Sequence, residues 1–260
     1  MSTTTPRLDV RLVWGPSGAR SLDDATDVAV VVDVLSFTTT VTVAADRSVA
    51  VVPHATGGPE AAALAASQGA VLAARRSTAR PGEVSLSPGS VRRAARLHRL
   101  VLPSPNGSTL SSVLDERVGT VVAACLRNAG AVAGWLVARA ADTPLRVAAV
   151  AAGERRTDGT VRHAPEDVWG AGAVLAHLRS SAGAVLSPQA RAAADAWLDV
   201  APRVGRSLRH SRTGVELVEW GYAEDVEIAA EVDASASVPL LRDGAYVDVA
   251  APAGSSAPLP

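Results

Sequence analysis

Lysine is absent from this chain: all 25 basic residues are arginine. That excludes a lysine Schiff base and a phosphate-binding-loop lysine. The basic residues nearly balance 26 acidic ones, for a net charge of −1. A nucleic-acid binder usually shows a basic excess, so nucleic acid is not an expected partner. There is a single cysteine, Cys125. No internal disulfide can form, and a structural zinc site would need more ligands of this type. Cys125 lies in the apolar run Val121-Val-Ala-Ala-Cys-Leu126 and reads as a buried, inert thiol. No apolar run approaches the roughly 18 residues of a membrane span. The first residues, Met-Ser-Thr-Thr-Thr-Pro, lack the apolar core of a signal peptide. The expectation is a cytoplasmic protein with no membrane contact.

What is present is apolar and periodic. The 260 residues are 48% hydrophobic, enough for a large core. Strand-like runs are expected at Leu8–Trp14, Val28–Leu35, Ser48–Pro53, Ala70–Ala73, Arg99–Ser104, Thr120–Leu126 and Leu145–Ala151. Helical patterns fall between them, at Thr38–Ala45, Pro59–Gln68, Ser90–Leu97, Ser108–Leu114, Asn128–Ala140 and Pro165–Arg179. This alternation predicts βαβ units. The fold class is α/β, with a mostly parallel sheet flanked by helices in three layers. The C-terminal part turns helical, at Pro188–Val200, Arg203–His210, Gly214–Trp220 and Ala223–Ala230. Two Val-containing runs, Val238–Leu241 and Ala245–Val249, return to the sheet. Residues 1–250 read as a single α/β domain with a candidate break between lobes near 141–145. Residues 251–260 read as a disordered tail.

Several strand ends carry polar clusters. Residues 28–40 run Val-Ala-Val-Val-Val-Asp-Val-Leu-Ser-Phe-Thr-Thr-Thr. Asp33 closes this strand, and Ser36, Thr38, Thr39 and Thr40 follow. In parallel α/β sheets, ligands bind beyond the carboxyl ends of strands. There a carboxylate can hold a hard cation, and hydroxyls and helix N–H groups can hold an anion. The plainer alternative is that Asp33 caps the next helix. Leu100–Leu110 repeats the pattern with Asn106-Gly107-Ser108-Thr109, either a phosphate cradle or an ordinary capped turn. A third strand ends in Gly153, and the helix beginning at Pro165 carries Glu166 and Asp167 in its first turn. Those acids suit a helix start and also suit a metal site. Asn128 follows a fourth strand, as a cap or a substrate-orienting amide. Gly170-Ala-Gly172 lies inside a helix and reads as a close-packing device. His54 and His163 lack partners at metal-ligand spacing and read as surface residues. Trp135, Trp169, Trp197 and Trp220 sit on helical patterns and read as packing residues. The Arg80–Ser90 loop is either a connector or part of a site. If the sheet is parallel, its strand ends share one edge, and four polar clusters there point to one pocket.

These segments, in order, resemble the 2-phosphosulfolactate phosphatase family over residues 10–250. The markers are Val32-Asp-Val-Leu35 with Thr38-Thr39, Asn106-Gly107-Ser108, Leu126-Arg-Asn-Ala129, Ala152-Gly153, Glu166-Asp167 with Ala171-Gly172, and the tail Gly214-Val-Glu-Leu, Gly221 and Glu224-Asp225-Val226. The chain departs from the family pattern where Ser36 replaces an arginine. It departs also at Ala74-Arg75-Arg76 and at Val84-Ser-Leu-Ser-Pro88, each of which lacks an acid.

The resemblance implies an α/β, magnesium-dependent phosphoric monoester hydrolase on the route to coenzyme M, acting on 2-phospho-3-sulfolactate or a similar small phosphorylated acid. It implies Mg²⁺ held by Asp33, Glu166 and Asp167. Asp33, Asp167 and Asn106 are the expected catalytic residues. Substrate binding falls to Ser36, Thr38, Thr39, Asn106, Gly107, Ser108, Asn128, Gly153, Arg75 and Arg76, with either arginine able to clamp a sulfonate or carboxylate. Attack by water is favoured over a phospho-aspartate. Haloacid-dehalogenase-type phosphatases carry a second aspartate two residues after the first, where this chain has Leu35. A phosphatase for another small metabolite and a non-catalytic anion-binding homologue are the alternatives. The expected partner is a small anionic phosphorylated substrate, and a homodimer stays open.

Overall fold

The structure is a computed structural model that describes residues 7–156, 158–181 and 183–250. The tail expected to be disordered, 251–260, lies outside the described residues.

The chain begins β1 (Leu8–Trp14), α1 (Gly15–Arg20), β2 (Val28–Val32), α2 (Phe37–Ala45), β3 (Ala50–His54), α3 (Pro59–Ser67), β4 (Val71–Leu72), α4 (Pro88–Arg93) and β5 (Arg99–Pro103). It continues through α5 (Gly107–Asp115), β6 (Val121–Ala124), α6 (Ala129–Ala140), β7 (Leu145–Ala151), β8 (Glu154–Arg155), β9 (Val161–Arg162) and α7 (Pro165–Arg179). The last third holds β10 (Ala184–Leu186), α8 (Pro188–Val200), α9 (Val204–His210), α10 (Arg212–Glu219), α11 (Ala223–Ala229), β11 (Pro239–Arg242) and β12 (Ala245–Asp248).

Ten strands form one sheet, in the order β10-β1-β7-β2-β6-β11-β12-β3-β5-β4. Six neighbouring pairings are parallel and three antiparallel. The sheet is mostly parallel, as its alternating pattern predicts. Strand β2 shows why helices cover both faces. All five of its residues are buried, and side chains alternate across a strand. Val28, Val30 and Val32 enter one core with Leu136, Leu175 and Leu178. Ala29 and Val31 enter the other with Phe37, Leu110 and Leu114. Fully burying one valine is worth roughly 1.5–3 kcal/mol, so both faces of this strand drive folding.

The one-edge argument needs correction. The C-terminal hairpin β11–β12 sits in the middle of the sheet, antiparallel to β6 on one side and to β3 on the other. Three antiparallel steps reverse the strand sense, so β3, β5 and β4 run against β2, β6 and β7. The two halves still share a core, with Val51, Leu100 and Leu102 packed in the cluster that holds Ala29, Val31, Val121 and Ala123. The β5 end and the β2 end nonetheless meet, through the loop that carries the Gly107 N–H to Asp33.

Other differences are local. Helix α4 stops at Arg93, short of the expected Leu97, because Ala94 turns to an extended conformation (φ −61°, ψ 130°) that cannot continue the helix. Helix α1 and the β8–β9 pair have no periodicity long enough to read. Trp197 packs in the core at 7% exposure, but Trp220 is 64% exposed and is no packing residue. Cys125 is buried, and burial pushes its thiol pKa up, which keeps it protonated and inert. No described helix is long and apolar enough to cross a membrane.

Gly170 and Gly172 are packing residues, as their position implies. A Cβ on Gly172 would lie 2.2 Å from the Ala193 carbonyl oxygen of α8. A Cβ on Gly170 would lie 2.5 Å from a Val34 methyl. Gly172→Ala is expected to lower the unfolding free energy by about 1–3 kcal/mol, the usual cost of overpacking. Chemical denaturation checks this, and wild-type stability in the variant would contradict the packing role.

Candidate active site

The site grows from the end of β2. Asp33 follows the last strand residue and is 5% exposed. Its Oδ2 accepts the Gly107 N–H at 2.8 Å and its Oδ1 the Phe37 N–H at 3.3 Å. Asp33 therefore caps α2, as the plainer reading holds, and also ties the start of α5 to β2. The approach requires glycine at 107. A Cβ there would sit 2.2 Å from the Phe37 ring and 2.8 Å from Asp33 Oδ2.

Asp167 makes a second stitch. Its Oδ1 accepts the Val34 N–H and its Oδ2 the Gly153 N–H, both at 2.8 Å. It is delivered by the first turn of α7, where Pro165 opens the helix and Glu166 and Asp167 follow. Gly153 takes a φ of +66°, and a Cβ on it would lie 2.7 Å from the Arg162 carbonyl oxygen. Glu166 is 1% exposed, and its Oε2 has no hydrogen-bond partner among the described residues. Buried carboxylate oxygens are normally paired, so this one marks a place for a cation or a donor.

Glu154, half-buried, completes the acidic group. Its Oε2 accepts the Asn106 Nδ2 at 3.1 Å, and Asn106 Oδ1 accepts the Arg155 N–H at 3.2 Å. Burial, with the charge of Glu154 added, lifts the Asp33 carboxyl to about 7. Burial, then the charges of Asp33 and Glu166, holds Asp167 well above the ordinary aspartate range. Glu154 is also raised, chiefly by burial. This is a set of carboxyl groups pressed together in a desolvated place, where a proton or a cation must offset their repulsion.

Arg76 supplies positive charge. Its Nη2 donates to Ser36 Oγ at 2.7 Å and to Asp225 Oδ2 at 3.0 Å. Tyr222 lies under the guanidinium, 5.4 Å from ring centroid to Cζ, and its hydroxyl donates to the Arg76 carbonyl at 2.7 Å. Asp225 Oδ1 accepts Ser87 Oγ at 2.5 Å, and burial raises the Asp225 pKa despite Arg76. Arg76 is close enough to Asp33 to lower its pKa, and its Nε is buried without a partner among the described residues.

Asp33, Asp167, Glu166, Asn106, Gly107, Gly153, Ser36 and Arg76 are thus one neighbourhood. Four expected binding residues need correction. Thr38 Oγ1 donates to the Asp33 carbonyl at 2.8 Å, Thr39 Oγ1 to Val34 at 2.7 Å and Ser108 Oγ to Leu102 at 2.9 Å. The Asn128 amide bonds Ala123, Cys125 and Ser237 of the main chain. All four are fully buried, and buried donors take the nearest free carbonyls, here at strand ends. Their side chains are engaged by the main chain and shape the loops. Arg75 is exposed and outside these contacts. The expected three-ligand set is not preassembled either. No group of three or more His, Cys, Asp or Glu among the described residues is set to hold a metal ion.

Sequence reasoning gave Glu154 no role in the site and named Asp225 only as a marker of the resemblance. Glu154 carries the signal that marked Asp33, an acid just past a strand. Asp225 has no local signal, since an acid in a helix's first turn is a common capping choice. The Arg80–Ser90 loop is more than a connector. It holds Asp225 through Ser87, and the Leu86 carbonyl accepts Arg76 and Thr40.

The raised Asp33 pKa has a signed consequence. The unfolded value is near 3.9 and the folded one about 7. The stability gained by burying the neutral acid is fully present below about pH 4 and is lost as pH rises through about 7. In metal-free buffer, Asp33→Asn should gain stability relative to wild type by roughly 2–4 kcal/mol between pH 4 and pH 8. Denaturant titrations across that window check it, and a pH-independent difference would contradict it.

Comparison with protein families matches residues 17–244 to the family described as 2-phosphosulpholactate phosphatase. Among curated proteins, a Deinococcus radiodurans protein named probable 2-phosphosulfolactate phosphatase is 31% identical over 226 residues, covering 84% of this chain and 89% of the relative. The family match spans every segment that builds the neighbourhood, from the end of β2 to Asp225. The chain belongs to the 2-phosphosulfolactate phosphatase family, a family of phosphoric monoester hydrolases.

Proposed function

We propose that this protein is a magnesium-dependent phosphatase that hydrolyses 2-phospho-3-sulfolactate or a similar small phosphorylated acid, with water as the nucleophile. The observation that carries the reading is the meeting of Asp33, Asp167 and Glu166 at one place, with a buried Glu166 oxygen that has no partner among the described residues. The donors are all oxygens, which suits Mg²⁺. That ion needs only one or two carboxylates because it usually keeps several waters. Glu166 would hold it, with Asp33 or Asp167 as the second carboxylate. Bound there, such an ion would neutralise phosphate charge and activate a water.

The chain's own residues supply the rest. Asp33, with a carboxyl pKa of about 7, is matched to proton transfer near neutral pH, and we assign it as the base that takes a proton from the attacking water. Arg76 presents an unpartnered Nε and is held by Asp225, Ser36 and Tyr222. It binds phosphate oxygens and offsets the charge that builds on them. The Ser108 and Thr109 N–H groups in the first turn of α5 have no intrahelical acceptors and add anion-binding donors, the Gly107 N–H being held by Asp33. Asn106 orients Glu154 and the chain at Arg155.

A phosphate-release assay with 2-phospho-3-sulfolactate, run with Mg²⁺ and with a chelator, tests the reading. Activity should require the cation. Asp33→Asn should cut kcat at least about 100-fold, the usual scale for losing a general base, with the circular dichroism spectrum retained. A fully active variant would remove Asp33 from the chemistry, and faster release from another phosphorylated acid would reassign the substrate.

A further inference from the structure

A cavity of about 420 Å³ lies beside the carboxyl cluster and is not lined by it. Its walls include Trp14, Arg20, Thr109, Arg155, Thr160 and His163. They come from the end of β1 and the length of α1, the first turn of α5, and the β8–β9 pair with its flanking residues. Among the described residues, no acidic one lines the cavity. Arg20 and Arg155 have exposed side chains. Neither guanidinium appears in a salt bridge or side-chain hydrogen bond among the described residues. Most of the chain's other arginines around the site are engaged, Arg76 with Asp225 and Arg162 with Thr213. The floor is firm. Trp14 and His163 stack at 4.4 Å with 3° between their planes, and Gly15, at φ +55°, brings α1 against Val161 and the Ala152 carbonyl.

The cavity joins the site at two points. Thr109 lies two residues past Gly107, whose N–H bonds Asp33. The Arg155 N–H bonds Asn106, whose amide holds Glu154. The first turn of α5 thus faces the carboxyl group on one side and the cavity on the other. A volume of this size fits a small organic acid, and guanidinium forks match planar or tetrahedral oxyanions.

We propose that this cavity is the subsite for the second anionic group of the substrate, a sulfonate or carboxylate, held by Arg20 and Arg155 while the phosphoryl group lies at Asp33. The assignment rests on the phosphatase reading above and replaces the expectation that Arg75 or Arg76 clamps this group. Arg76 is committed to Asp225, and Arg75 is outside the site's contacts.

The test compares wild type with R20Q, R155Q and the double variant, whose exposed positions leave the core untouched. Two phosphoesters are used, 2-phospho-3-sulfolactate and phenyl phosphate, which lacks a second anion. The ratio of their kcat/KM values should fall about 10-fold or more in the double variant, the scale of one lost charge-assisted pairing, through a higher KM for the acid-bearing ester. An unchanged ratio overturns the proposal. Calorimetry with sulfoacetate reads the subsite without catalysis. Binding to wild type that is lost in the double variant supports it, even if neither ester is hydrolysed and the phosphatase reading itself fails. Equal sulfoacetate binding by wild type and variant, or none by wild type, overturns it.

Discussion

The contact between Asp33 Oδ2 and the Gly107 N–H, 2.8 Å long, is the joint on which the site depends. It fastens a loop after β5 to the end of β2, two strands with four others between them in the sheet. It is possible only without a side chain at 107, because the Phe37 ring occupies the space a Cβ would take. The same carboxylate closes the first turn of α2 through Phe37. Asp167 repeats the device between β2 and β7. Two acids therefore act as bolts for the backbone, and after burial the charge of Asp33 helps to raise the Asp167 pKa. The neighbouring Glu166 Oε2 is buried with no hydrogen-bond partner among the described residues.

This arrangement is costly for an empty site and suited to a filled one. Carboxyl groups buried together resist ionisation. A divalent cation and a phosphate ester carry the charges that such a site lacks, one for the carboxylates and one for Arg76. Arg76 is in turn fixed by Asp225, Ser36 and Tyr222, so the basic side of the site is as preorganised as the acidic side. The long chain segment from α8 to α11 has a clear task in this view. It delivers Asp225 and Tyr222 to Arg76.

Much of this was legible beforehand, and the reasons are specific. Strand β2 is a run of five apolar residues followed by an acid, a pattern that only a buried strand with a polar end explains well. Pro165 before Glu166 and Asp167 gives a helix start its exact polarity. What could not be read is what depends on the middle of the sheet. Residues Pro239–Arg242 and Ala245–Asp248 form an ordinary hairpin locally, and nothing in their composition says that they wedge between β6 and β3. The hydroxyls of Thr38, Thr39 and Ser108 looked like anion ligands because hydroxyls at helix starts often are. Their burial, a tertiary property, turned them to backbone carbonyls instead. Glu154 stood in plain view after Gly153, but a lone acid on a loop has no partner until Asn106 is placed beside it. Arg20 and Arg155 are ordinary surface arginines in one dimension and face a common cavity in three.

The central claim is that the buried, unpaired Glu166 oxygen is a cation ligand within a carboxyl cluster. Calorimetric titration of Mg²⁺ into wild type and Glu166→Gln tests it most directly, free of any assumption about substrate. The account predicts single-site binding by wild type that weakens about 10-fold or more in the variant, as for loss of a charged ligand to a hard cation. Equal Mg²⁺ affinity in the two proteins, or no binding by wild type, would contradict it.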